Sequence, residues 1–311
     1  MDREARAPAP LAIIGAPSSA GAYAPGQEGA PAALRAAGLA ERLSARGIPV
    51  RDLGDVPGFR WRVDRANPRA MNAGAAAAVA RATANQVSAA MATGGAVLVL
   101  GGDCTVELGT VAGALRESER IGLVYVDLDT DLHTPASTTD GALDWMGVAH
   151  LLGIDGALPE LAELGPRVPM LRPEQVHFFG TGNSEPIERQ RIQELGIAQT
   201  RVDDVAADPE GAARAVVDGW ARRFDRLLIH LDVDVLDFAH TPLAENTRRN
   251  TGLRFEPLIA ALRVLLQAPN WAALTICELN PDHGESDGST ASMFAEALSD
   301  ALAGSPRWRG T

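Results

Sequence analysis

The run IGLVYV at 121–126 leads straight into Asp127, Asp129 and Asp131 of VDLDTDLHTP. An extended chain repeats every two residues, so all three carboxylates project to one side. Like charges that close repel strongly unless a cation sits among them. A calcium EF-hand loop also begins D-x-D-x-D, but it needs Gly at its sixth position and Glu at its twelfth. Leu132 and Thr138 stand there instead. A second acidic cluster, Asp232, Asp234 and Asp237 in HLDVDVLD, follows another apolar run, and its first pair shares one face. Either cluster alone fits a solvated strand end or a helix cap. Two of them at strand ends of one sheet point to a metal site, with two divalent ions bridged by shared carboxylates. Carboxylate donors are hard, which places Mn²⁺ first and leaves iron, nickel or zinc as alternatives.

A third run, AVLVLGG at 96–102, ends in Gly101-Gly102-Asp103-Cys104-Thr105. The glycines permit a tight turn and Thr105 is placed to cap the helix that follows. Cys104 faces the same rim, as a small buried filler or as a member of the site. Glu278 in ICELNP leaves a fourth apolar run, either as another rim carboxylate or as one half of an internal ion pair; Cys277 points the other way, into the core.

Positioning these residues requires a regular scaffold. Apolar runs at 11–17, 48–54, 96–102, 121–127, 175–180, 226–234 and 274–279 read as buried parallel strands. Candidate helices lie between them, near 28–46, 68–93, 105–117, 186–195, 209–223, 255–267 and 289–303. QTRVDD at 199–204 supplies an eighth strand with a weaker pattern. The alternation implies right-handed βαβ units in an α/β fold, a three-layer α/β/α sandwich with a central, mainly parallel sheet of about eight strands. In such a sheet ligands bind outside the carboxyl ends of the strands, which is where the acidic residues fall.

The 311 residues carry no repeat or linker that forces a split, so one domain over 1–311 is expected. Hydrophobic residues at 46% and charged residues at 22% exclude disordered, collagen-like and coiled-coil classes. A net charge of −12 argues against nucleic acid or an anionic membrane as a partner. Two cysteines make no disulfide framework, MDREARAPAP has no apolar signal core, and no apolar run is long enough to span a bilayer. The cytoplasm is the expected compartment. No GxGxxG or P-loop pattern occurs.

The ordered set GGDC, D-x-D-x-D followed by HTP, LDVDVLD and CELNP, with the opening APSSAGAYAPGQEGAPAALRAAGL at 16–39, resembles the ureohydrolase superfamily of arginases, agmatinases and formimidoylglutamases. The resemblance spans most of the chain. It implies an α/β/α fold that holds two manganese ions, and hydrolysis of a guanidino, amidino or formimino C–N bond by attack of a hydroxide that bridges them. It also implies a homo-oligomer, trimer or hexamer. By position, Cys104, Asp127, Asp131 and Asp232 would hold one ion, and Asp127, Asp129, Asp232 and Asp234 the other. Glu278 matches the carboxylate that orients the substrate's guanidinium.

Departures from the family pattern fall in the same places. Cys104 and Asp129 stand where the family has histidine ligands, so no histidine remains in the matched ligand set. Five aspartates and a thiolate bring about six negative charges against four positive, which weakens Lewis acidity. His133 is a candidate compensating ligand, cap or substrate contact, and Asp144 falls where the family has its acid/base histidine. An aspartate serves there only if its pKa is raised. Asn183 stands where arginases carry a carboxylate for the α-ammonium, which favours a substrate without the full L-arginine tail. Arg248 and Arg249 are candidate clamps for a substrate carboxylate or phosphate, or residues of a solvated loop. Two other readings compete with the hydrolase: a catalytically weak scaffold acting by ligand binding or oligomerisation, and a cysteine nucleophile at Cys104 with a nearby histidine as base.

Overall fold

Eight parallel strands form one sheet in the computed structural model, which describes residues 9–308. Residues 1–8, most of the segment read above for a leader, lie outside the described residues. The strands are β1 (Leu11–Gly15), β2 (Val50–Asp55), β3 (Val97–Leu100), β4 (Ile121–Val126), β5 (Val176–Thr181), β6 (Ala198–Arg201), β7 (Arg226–Asp232) and β8 (Trp271–Cys277). Their order is β2-β1-β3-β8-β7-β4-β5-β6, and every pairing is parallel. The chain therefore leaves a gap of two strands between β3 and β4, which the last two strands fill. That insertion brings the ends of β3, β8, β7 and β4 side by side, and these four strands lead into all the acidic segments.

Period-two alternation divides each central strand between two cores. Leu98 and Leu100 of β3 pack with one set, while Val97 and Val99 face the other. The first layer holds α1 (Ala30–Ala36), α2 (Leu39–Ala45), α8 (Val202–Ala207), α9 (Pro209–Trp220), α10 (Phe255–Leu265) and α11 (Ser289–Ala303). The second holds α3 (Ala73–Ala92), α4 (Val106–Glu117), α5 (Gly147–Leu151), α6 (Pro159–Ala162) and α7 (Pro186–Leu195). The helix expected over 28–46 is two helices, because Gly38 takes a left-handed φ of 75° between them. Thr105 does not cap α4 with its side chain; its hydroxyl donates to Asp103. Asp208 does cap α9, accepting from the Gly211 N–H at 2.9 Å ahead of Pro209 at the first turn.

The alanine-rich stretch of α3 has a packing cause. Ala80 and Ala84 lie against Gly109 and Gly113 of α4 so closely that a Cβ on Gly113 would stand 2.6 Å from the Ala84 carbonyl oxygen. Small residues on both helices permit this approach. Gly113→Ala is expected to lower stability by about 1–3 kcal/mol, because the overpacking cost exceeds the gain in helix propensity. Urea unfolding checks it: the midpoint falls with an unchanged slope. A rise in midpoint would contradict the contact.

Candidate metal centre and substrate cavity

The β3 end reaches the rim through close backbone contact. A Cβ on Gly102 would lie 1.7 Å from the Ser18 carbonyl oxygen, so this glycine serves close approach rather than a positive φ. Asp103 then turns inward, accepting from the Gly21 and Thr105 N–H groups at 3.0 Å each, and leaves Cys104 facing the cavity. From β4 the chain enters the loop with Asp127 Oδ1 accepting from the Asp129 N–H at 2.7 Å. Buried Glu188 of α7 holds the next turn, accepting from the Thr130 hydroxyl at 3.0 Å and the Leu132 N–H at 3.1 Å. Asp131 sits there at a left-handed φ of 50°, with the Tyr125 hydroxyl donating to it. Glu278, after β8, has a φ of 61°. Left-handed backbone outside glycine is strained and concentrates at functional positions.

From β7, Asp232 Oδ1 accepts from the Asp234 N–H at 2.7 Å, and its Oδ2 accepts from the Cys104 thiol at 3.0 Å. Two groups of donors that include carboxylates result, each with its ligand atoms within 4.8 Å of one another: Cys104, Asp127, His230 and Asp232, and Asp127, Asp129 and Asp234. Asp127 belongs to both. Its Oδ2 and the Asp234 Oδ1 are buried and accept no hydrogen bond. A buried carboxylate oxygen without a donor calls for a cation, so this donor set fits divalent ions. Burial, then Asp234 and Asp129, push the Asp127 carboxyl well above the usual range; burial, then Asp234 and Asp127, do the same to Asp232. Burial first, then Cys277 and Asp232, raise the Cys104 thiol. A metal ion reverses each of these pressures by stabilising the ionised form.

Arg248 brings one positive charge to the cluster through an ion pair with Asp129. Above the donors lies a cavity of about 210 Å³. Asp129, Asp131, Asp140, Asp144, Asp232, Asp234 and Glu278 make its lining acidic, with Tyr23, Trp145 and Arg248 among the other walls. Glu278 is fixed at both oxygens: Oε1 accepts from the Cys104 N–H and Oε2 from the Gln27 side chain, at 2.9 Å each.

A model of the arginase family matches residues 9–304. The chain belongs to the arginase family. It is similar to the arginase of Bacillus caldovelox, 31% identical over 301 residues that cover 93% of this chain and 99% of that protein. Arginase-1 of Homo sapiens is 29% identical over 298 residues, covering 94% and 92%. The solved Bacillus caldovelox arginase structure superposes with a TM-score of 0.85 at 28% identity, covering 94% of this chain and 98% of that one. Membership makes the protein a hydrolase of C–N bonds, other than peptide bonds, in linear amidines.

Within this arginase-family frame, the structure brings Cys104, Asp127, Asp129, Asp131, Asp232, Asp234, Asp144 and Glu278 to one rim, but Asp131, expected as a ligand, falls in neither donor group because Tyr125 engages it, and Asp232, expected to serve both ions, falls in one. Asp237 is apart from them, accepting from the Ala239 N–H in a turn. His133 does not line the cavity. Its ring lies 4.9 Å from Trp145, with Nδ1 3.1 Å from the Ser137 hydroxyl and Nε2 facing Glu185 and Glu188, so it braces the loop behind the wall. Arg248, expected as a substrate clamp, is engaged by Asp129, and Arg249 turns away over the Phe238 ring. Asn183 also reaches Asp129, donating to Oδ1 at 2.6 Å. The sequence reading missed Tyr23, Gln27 and His230. His230 carried a signal, since it precedes Asp232 by two residues on β7 and so shares its face. Among the described residues, no helix is long and apolar enough to cross a membrane.

Proposed function

We propose that the protein is a metal-dependent amidino hydrolase that holds two divalent ions, manganese foremost, and acts on a compound with a planar cationic guanidinium, amidinium or formimino head. The sharing of Asp127 between two donor groups whose other carboxylates line an acidic cavity carries this reading. Asp129 and Asp234 complete an all-oxygen donor group suited to a hard ion such as Mn²⁺. When bound, the ions supply Lewis acidity and a hydrolytic water that ionises near neutral pH.

The chain's own groups do the rest. Glu278, anchored at both oxygens, has lone pairs left for the N–H groups of a planar cation and fixes its orientation. Asp144 Oδ1 accepts from the Trp145 N–H at 2.9 Å, which leaves Oδ2 to carry a proton. Burial, then Asp103, raise its carboxyl, which favours the protonated form that a proton donor to the departing amine requires. Tyr23 and Trp145 offer the tail an aromatic wall. Asn183, already donating to Asp129, supplies no carboxylate for an α-ammonium.

A panel of guanidino, amidino and formimino compounds tests the proposal, read as urea, ammonia or formamide released by the manganese-loaded protein. Turnover confined to cationic heads, with L-arginine well below the ~10⁴ M⁻¹s⁻¹ of a good enzyme, is expected. Efficient cleavage of L-arginine would overturn the tail assignment. Silence across the panel with ions bound would leave the scaffold reading standing.

A further inference from the structure

We infer that His230 is a ligand of the ion at Cys104, positioned by Glu107, and that it makes this an N,S,O site selecting Zn²⁺ over Mn²⁺. The inference rests on the metal-dependent reading and specifies one of its two positions. His230 is fully buried in β7, with Nε2 3.5 Å from the Cys104 sulfur and in reach of the Asp127 and Asp232 carboxylates. Behind the ring, Nδ1 lies 3.5 Å from Glu107 Oε2 of α4. Glu107 is itself buried, and neither of its oxygens accepts a hydrogen bond. Tyr125 stacks flat on the imidazole, with centroids 4.0 Å apart and planes 8° from parallel, and so sets its plane. A carboxylate facing one ring nitrogen while the other faces the donors is the arrangement that fixes tautomer and direction in metal-bound histidines.

The donor types then decide the ion. An all-carboxylate group favours hard cations, whereas a thiolate with an imidazole and carboxylates suits zinc. Cys277 adds a second sulfur behind the first, since Cys104, His230 and Cys277 also have ligand atoms within 4.8 Å of one another. The expectation that Cys277 sits in the core holds for its burial, yet it touches the back of the site. The histidine absent from position 104 is thus replaced from β7, two strands away in the sheet, and the two ion positions differ in chemistry.

X-ray absorption at the zinc edge of the wild-type protein, loaded with one equivalent of Zn²⁺, decides this without any substitution. A sulfur shell at about 2.3 Å together with imidazole scattering from a nitrogen at about 2.0–2.1 Å is expected. His230→Gln should lose the imidazole signal, keep the sulfur and bind Zn²⁺ at least tenfold more weakly. Glu107→Gln should keep the imidazole signal and shift the visible bands of the Co²⁺-substituted protein, with Zn²⁺ affinity down about 10–100-fold and unchanged metal-free melting. Zinc bound through oxygen alone, an imidazole signal that survives in His230→Gln, or Mn²⁺ displacing Zn²⁺ at equal concentration would overturn the inference while leaving the hydrolase reading intact. A protein that takes up no divalent ion overturns both.

Discussion

Asp127→Asn is expected to leave the protein folded and unable to retain either ion. The substitution keeps the oxygen that accepts from the Asp129 N–H and removes the charge shared by the two donor groups. Loss of groups that merely orient a ligand weakens metal binding about 10–100-fold, and loss of a charged bridging donor costs more than that for each ion. Hydrolysis falls to background as a consequence, since the lost charge acts on both positions at once. Metal analysis after gel filtration reads the result. Retention of one full equivalent would show that Asp127 serves a single position.

The second large effect belongs to Glu278→Gln. Both carboxylate oxygens accept from N–H donors, Cys104 on one side and Gln27 on the other. An amide presents one acceptor and one donor, so one of those two N–H groups is left facing another. Beyond that local penalty, the substrate cation loses its charged partner in a buried setting, a change worth about 2–5 kcal/mol. Burial, then Asp144 and Asp103, raise the Glu278 carboxyl well above the usual range, and an arriving guanidinium reverses that pressure by favouring the ionised form. A loss of about 10²–10³ in kcat/KM is therefore expected, with ion content unchanged. Equal losses of turnover and of bound metal would make Glu278 a structural support of the donor groups.

The parts that were legible in the sequence are those in which burial leaves a local signature. β3, β4 and β8 are buried along their whole length, so they read as uninterrupted apolar runs. β6 lies at the sheet edge with most of its residues exposed, and its pattern was correspondingly weak. α3 begins at Ala73 rather than 68, after Asn72 takes a left-handed φ of 56°. The acidic rim was legible because charge gathers just past the ends of β4 and β7, although of Asp127, Asp129, Asp232 and Asp234 only Asp232 lies within a strand, and Asp234 sits in a 3-10 turn. Gln27 was not, because its contact with Glu278 joins residues 251 positions apart. Arg248 illustrates the remaining limit: sequence brings a guanidinium to the rim, and only the fold decides that Asp129 engages it.

Counting ions in the wild-type protein tests the metal-dependent reading most directly. The protein is stripped with a chelator, dialysed, reloaded with Mn²⁺ and Zn²⁺, freed of unbound metal, and assayed for ion content and melting temperature in each state. Close to two ions per chain, with melting raised by several degrees on loading, is the predicted result, because ligands that bind only the folded state stabilise it. No retained ion and identical melting in chelator and metal would contradict the assignment of Asp127, Asp129, Asp232 and Asp234 as ligands.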